Sequence, residues 1–284
     1  MVSACLDGKP MLRRGDTGDW VGTFEGHKGA VWCIKLDTPA LRAATGSADW
    51  SSKVWDALSG EELHSFKAGH IVKSVDFSRD GTKLVTAGGE KKLRLFDLGA
   101  PEAEPAFFEG HTQAVKSALF LHNQEGFVVS GGADGILRFW DVRQAGSSPA
   151  SEIALGAPIV NMEQSYDGKT LSLAVGNNRA VFVDVESRAV QQDSELAGLS
   201  EISSLSLHPD GTKFICGDGS PWVHVFAKDS LEETELNKGH HGRVWDVRYH
   251  PDGASFASSA DDATVRIWQQ QSRLDPPVEA EVSQ

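Results

Sequence analysis

Apolar residues fall in short runs along this chain, continuous or alternating with polar ones, and turn residues break them up at close intervals. Val31-Trp32-Cys33-Ile34-Lys35-Leu36, Leu84-Val85-Thr86-Ala87 and Leu93-Arg94-Leu95-Phe96 have the length and alternation of strands. Arg79-Asp80-Gly81, Tyr166-Asp167-Gly168, Pro209-Asp210-Gly211 and Pro251-Asp252-Gly253 separate such runs, each with a residue that tolerates positive φ. With 29 Gly, 11 Pro and no long stretch at helical period, the pattern predicts an all-β fold.

The strand pattern repeats. Gly26-His27, Asp49 and Trp55-Asp56 recur as Gly110-His111, Asp134 and Trp140-Asp141, and again as Gly239-His240, Asp262 and Trp268. His to Asp is 22, 23 and 22 residues, and Trp follows Asp by six each time. The Trp55 position recurs at Phe96, Trp140, Val183, Phe226 and Trp268, in steps of 41, 44, 43, 43 and 42. One step back from Trp55 lies Arg13, with Asp7 at the same six-residue offset. This resembles the WD-repeat signature, which implies a β-propeller: seven blades over 1–271, blade one incomplete at the N-terminus, then a disordered acidic tail over 272–284. The innermost strand of blade one and the outermost of blade seven are expected to be missing. The usual blade length then suggests about thirty residues upstream of Met1.

In WD repeats a His, a hydroxyl, the Asp and the Trp form a hydrogen-bonded relay. The spacing predicts three here: His27, Thr45, Asp49 and Trp55; His111, Ser130, Asp134 and Trp140; His240, Ser258, Asp262 and Trp268. Each relay satisfies polar groups that would cost about 1–3 kcal/mol if buried unpaired. Two blades lack it. The positions read Ala157 and Leu173 in blade five, and Leu199, Cys216 and Ser220 in blade six, so those blades are expected to rest on apolar packing and to open first.

A hydroxyl, His and Asp also make up a hydrolase triad, but a triad occurs once, beside an oxyanion hole. This set occurs three times, at the repeat period, with a Trp attached. No Gly-x-Gly-x-x-Gly or Gly-x4-Gly-Lys-Ser/Thr motif is present. His240-His241 has no Cys or His cluster at ligand spacing nearby. No enzymatic activity, cofactor, metal site or small-molecule substrate is therefore expected. A net charge of −13 argues against direct nucleic-acid binding, which draws its affinity from neutralising phosphates. Three cysteines without framework spacing read as reduced thiols, and no apolar run is long enough to span a membrane. The expected location is cytoplasmic, with the nucleus as a second site.

The first 110 residues carry a more specific resemblance. Asp7-Gly8-Lys9-Pro10-Met11-Leu12-Arg13, Gly15-Asp16-Thr17-Gly18-Asp19-Trp20, Gly26-His27-Lys28-Gly29-Ala30-Val31-Trp32, Lys53-Val54-Trp55-Asp56-Ala57, His70-Ile71-Val72-Lys73-Ser74-Val75-Asp76-Phe77 and Pro101-Glu102-Ala103-Glu104-Pro105 resemble the serine-threonine kinase receptor-associated (STRAP, UNR-interacting) family. The likeness thins between Ala150 and Ser230. It implies a non-catalytic adaptor associated with the survival-of-motor-neuron (Gemin) complex that assembles spliceosomal ribonucleoproteins, and in animals with receptor kinases. The family has a further Gly-His and strand ahead of the point matching Met1, and a longer acidic tail. The alternative is the WD-repeat subunit of the third eukaryotic translation initiation factor. It is similar at Gly-His-x-Gly-Ala-Val-Trp-Cys and at Thr45-Gly46-Ser47-Ala48-Asp49. A ubiquitin-ligase substrate receptor would need an adaptor-binding segment outside the propeller, and the chain shows none.

In a WD blade the side chain five after the His, at the start of the innermost strand, faces the mouth of the central channel. Alignment of the blades puts Trp32, Lys73, Lys116, Asn161, Ser203 and Trp245 there, with Arg243 two residues before Trp245 and Trp50 just after the turn Asp49. Trp and Arg are enriched at interface hot spots, so Trp32, Trp50, Lys73, Lys116, Arg243 and Trp245 form the candidate protein-binding face. Trp20 and Trp222 are expected to be packing residues.

Overall fold

Each blade buries its apolar residues against the next, so the core is distributed between the sheets. Ala44 and Val54 of blade two pack with Val75, Phe77, Leu84 and Phe96 of blade three. Leu119, Val129 and Phe139 of blade four meet Leu171, Leu173 and Val181 of blade five in the same way. Close approach of the sheets requires small residues on the second strands. A Cβ on Gly46 would stand 2.7 Å from both Cys33 Sγ and Val72, and one on Gly217 would stand 2.6 Å from Val244.

A computed structural model describes residues 1–144, 146 and 148–270; the tail expected over 272–284 lies outside them. Among the described residues the regular elements are 26 strands in seven antiparallel sheets, each sheet formed from consecutive strands. This is the seven-bladed propeller that the period predicts. Blade two runs outward as Val31–Leu36, Arg42–Ser47, Ser51–Asp56 and Glu62–Lys67. Blades three to six also have four strands. Blade one has three, Val2–Ser3, Met11–Arg13 and Trp20–Thr23. Blade seven likewise has three, Val244–Tyr249, Ser255–Ala260 and Val265–Gln269. Among the described residues, and compared with blade two, blade one shows no innermost strand and blade seven no outermost one. The two still touch: a Cβ on Gly18 would lie 3.3 Å from Ile267 Cδ1.

Polar side chains in the innermost strands link one blade to the next. Ser74 Oγ accepts from the Ala118 amide (2.9 Å) and donates to the Ala118 carbonyl (3.2 Å). Asp76 Oδ2 accepts from the Phe120 amide (2.8 Å), and Ser206 Oγ from the Tyr249 amide (3.0 Å). These bonds occupy backbone groups that neighbouring innermost strands, splayed around the channel, cannot offer each other.

Candidate protein-binding face

The relays set the geometry of the rim. In blade two the Trp55 indole donates to Thr45 Oγ1 (2.9 Å), His27 Nε2 lies 2.6 Å from the same oxygen, and His27 Nδ1 lies 2.8 Å from Asp49 Oδ2. An indole can only donate and a carboxylate only accept. The chain of bonds therefore runs from Trp55 through a Thr45 hydroxyl that donates to Nε2, with Nδ1–H pointing at Asp49. Burial lowers the pKa of His27 despite the pull of Asp49, which keeps the ring neutral. Burial disfavours the Asp49 carboxylate too, yet the Ser51 hydroxyl, the Lys28 amide and His27 hold it down at about 2. The same bonds join His111, Ser130, Asp134 and Trp140 in blade four, and His240, Ser258, Asp262 and Trp268 in blade seven. Thr45, Ser130 and Ser258 are all buried, so these hydroxyls hold blades together and offer no accessible nucleophile.

The other three full blades depart from the relay in different ways. Blade five is apolar as expected, with Leu171, Leu173, Val175, Val181 and Val183 all buried. Blade six is not held by apolar packing alone. Asp218, buried, accepts from the Ser200 amide and hydroxyl (2.8 and 3.0 Å) and from the Ser220 amide (2.9 Å). His224 Nε2 lies 3.7 Å from Asp218, and Nδ1 lies 3.0 Å from Glu233 Oε1. Burial opposes protonation of His224, but these two carboxylates outweigh it and raise its pKa. The reading of blade six fails because its acid sits two residues before the position the period indicates, so Asp218 is missed.

Blade three also lacks the relay, although it retains His70 and Thr86. Phe96 stands at the Trp position and has no N–H to give, so a buried His there would complete nothing. His70 instead lies exposed and stacks on Trp50 of blade two, with ring centroids 6.1 Å apart and planes 17° apart. Glu90 takes the acid position and is bound by Arg94 (2.7 Å) and by the Gly69 amide.

At the rim the pairing register breaks at one place in each of five innermost strands. The breaks fall between Val31 and Cys33, Val72 and Ser74, Val115 and Ser117, Ile159 and Asn161, and Val244 and Asp246. A β-bulge leaves one residue unpaired and re-aims its side chain. The bulged residues are Trp32, Lys73, Lys116, Val160 and Trp245. Spacing assigns Asn161 to this rim, but Val160 occupies it. Asn161, one residue further on, reaches across the channel, donating from Nδ2 to Asp246 Oδ1 (3.2 Å) and accepting from Arg248 Nη2 (3.2 Å). Counted back 23 residues from Val183, as Trp32 is from Trp55, the rim position is Val160, so the offset that gives Asn161 is one residue too long. Ser203 holds the equivalent place in blade six, but it is buried and donates to the Val244 carbonyl (2.5 Å).

Three tryptophans are exposed at this rim: Trp32 at 44%, Trp50 at 53% and Trp245 at 48%. Lys73 Nζ lies 5.4 Å from the Trp32 ring, and the Arg243 guanidinium 4.6 Å from the Trp245 ring. Arg243 also pairs with Glu201 (3.1 Å), and the Trp245 indole donates to Asp261. Trp50 follows Asp49 with φ of 67°, in the left-handed region that a bulky residue seldom occupies. Its counterparts are Lys91, Gly135, Asn178 and Ala263, all with positive φ, so in these blades the turn takes this conformation whatever side chain it carries.

Trp20 and Trp222 are not packing residues, since they are 62% and 39% exposed. A further column of residues escapes a reading centred on His, Asp and Trp. Two positions before the Trp site stand Lys53, Arg94, Arg138, His224 and Arg266, a basic residue in five of six blades. Lys53 pairs with Glu62 (2.6 Å), Arg138 with Glu152 and Asp134 (both 2.7 Å), and Arg94 with Glu90. The repeat period makes this column visible once the ruler is laid two residues earlier.

The WD domain, G-beta repeat family model matches residues 18–56, 60–97, 104–141 and 232–269. These stretches leave out blade five and all of blade six but its outermost strand, the two blades where the relay residues are replaced. The chain is 44% identical to the serine-threonine kinase receptor-associated protein of Dictyostelium discoideum over 94% of its length and 89% of the relative's. It is 41% identical to the protein of that name from Homo sapiens, over 95% of its own length and 75% of the relative's. Eukaryotic translation initiation factor 3 subunit I of Drosophila grimshawi is more distant, at 25% identity over 94% of this chain and 89% of that one. A propeller with these relays, matched across nearly its whole length by such relatives, belongs to the serine-threonine kinase receptor-associated family of WD-repeat proteins.

Proposed function

We propose that this chain is a non-catalytic adaptor that binds protein through the rim of its channel, within the survival-of-motor-neuron (Gemin) complex and in spliceosomal ribonucleoprotein assembly. The observation that carries the binding reading is the placement of Trp32 and Trp245 at bulges. There their side chains stand exposed instead of packing between sheets, and large exposed aromatics beside cations are the usual anchors of protein interfaces. The name shared by the relatives describes association with kinase receptors, so a receptor-kinase partner is a second reading. A translation-initiation role is less favoured, because the identity to that subunit falls to 25%. We place the protein in the cytoplasm and nucleus, in keeping with three free thiols, of which burial pushes Cys33 up to about 12 and Cys216 well upward.

Co-purification with the tagged chain tests the assignment. Gemin-type partners support it; initiation-factor subunits, kinase receptors or cullin adaptors in their place would reassign it.

A further inference from the structure

The two sides of the rim differ in how their charges are satisfied. On the side of blades six and seven, Arg243 has Glu201, and the Trp245 indole has Asp261. On the side of blades two to four, the bulged residues of three consecutive blades are Trp32, Lys73 and Lys116. Lys73 lies against the Trp32 ring, with Lys116 beside it. Among the described residues no carboxylate comes within 4.0 Å of either ammonium group as an ion pair. The chain has 40 acidic residues against 27 basic ones, and the buried or half-buried cations Lys53, Arg94, Arg138 and Arg248 all have acidic partners. At this mouth, by contrast, two cations from adjacent blades meet with no acidic partner. Burial, and then the neighbouring Lys116 charge, both lower the pKa of Lys73, so the pair repels itself as it stands. An anion seated between the two would relieve that repulsion.

We infer that Lys73 and Lys116, walled by Trp32, form a receptor for an acidic peptide segment of the partner protein, and this rests on the reading of the rim given above. Carboxylates fit between the ammonium groups, and the Trp32 face takes the apolar part of the segment. A phosphate polymer fits less well. The net charge of −13 repels a polyanion at long range, and two cations release too few counterions to offset that repulsion. A short acidic segment carries less charge and gains from contact with the indole.

Fluorescence anisotropy with a labelled Glu-Glu-Phe-Glu-Glu peptide tests the inference, with Gln-Gln-Phe-Gln-Gln and a short oligouridylate as comparison probes. The acidic peptide should bind the full chain, weaken as salt is raised, and lose at least tenfold in affinity in Lys73→Gln/Lys116→Gln. Lys73→Arg/Lys116→Arg should retain binding within about threefold, and Lys169→Gln, at an exposed turn, should leave it unchanged. Thermal melts of each variant confirm that it is folded. Absence of binding to the acidic peptide, or equal binding by the double Gln variant, overturns the inference. So does oligouridylate binding that the double Gln variant loses when peptide binding does not respond. Partner capture by Trp32→Ala/Trp245→Ala separates the two readings. If capture is lost there but the peptide result is negative, only the acidic-segment inference falls. If capture is unchanged while the peptide binds as expected, only the rim's role in the adaptor falls.

Discussion

The Trp55 indole and the Thr45 hydroxyl meet at 2.9 Å between adjacent strands of blade two, with both side chains fully buried. The bond makes one residue serve packing and polar satisfaction together. Trp55→Ala should cost about 3–5 kcal/mol, as truncation of a buried aromatic does. Trp55→Phe keeps most of the ring but removes the N–H that Thr45 accepts, and should cost about 1–2 kcal/mol. Urea denaturation of the two variants checks the order; a Trp55→Phe variant as stable as the parent would mean that the indole bond contributes nothing.

Acid should unfold the protein in two stages. His27 and His111 have folded pKa values lowered by burial, so below about pH 6.5 the unfolded chain takes up protons that the folded one does not. Stability therefore falls as pH drops through that range. The carboxyls of Asp49, Asp134, Asp218 and Asp262 are all depressed in the fold. Their contribution is present above the ordinary carboxylate pKa and is lost as pH falls toward their folded values, about 2 for Asp49. His224 has the opposite sign. Its raised pKa gives stability that is full below about pH 6.5 and is lost as pH rises through its folded value. Melting temperatures from pH 8 to pH 3 should decline, and His224→Gln should steepen the decline between pH 7 and pH 5.

Trp50 occupies a left-handed turn position that costs a non-glycine residue about 1–2 kcal/mol. Its stacking on exposed His70 recovers only part of this. Trp50→Gly should leave the melting temperature unchanged or raise it, while weakening partner binding. A lower melting temperature together with full binding would make Trp50 a structural residue.

Hydrogen exchange should start in the three-stranded blades. Trp268 makes the same relay as Trp55 and Trp140, yet it is only partly buried; among the described residues no strand of blade seven lies outside Val265–Gln269. Amides of Met11–Arg13 and Val265–Gln269 should exchange before those of Thr170–Val175, whose apolar strand is buried on both faces. The reverse order would restore blade five as the weak point, as its missing relay suggests.

What could be read in the sequence follows from where the chemistry is periodic. The Trp55, Trp140 and Trp268 relays were legible because each needs a donor, a hydroxyl, an imidazole and a carboxylate at spacings imposed by strand length. Blade number follows from the same ruler. Asp218 was not legible, because its blade reaches the same result from Ser200, Ser220 and His224 at other offsets. Nor was the outward turn of His70, which depends on what Phe96 lacks. Of the residues aligned to the rim, Trp32, Lys73, Lys116 and Trp245 stand at the bulges. The alignment failed in blade five, where Ala157 replaces the His and only a count back from Val183 gives Val160.

The most direct test of the account is partner capture by the folded Trp32→Ala/Trp245→Ala variant. Both side chains are exposed at bulges and neither joins a relay, so the double variant should melt like the parent. Its partner affinity should fall by more than about 2 kcal/mol, roughly thirtyfold, as loss of hot-spot aromatics does. A folded double variant that captures its partner with undiminished affinity would contradict the claim that this rim is the binding face.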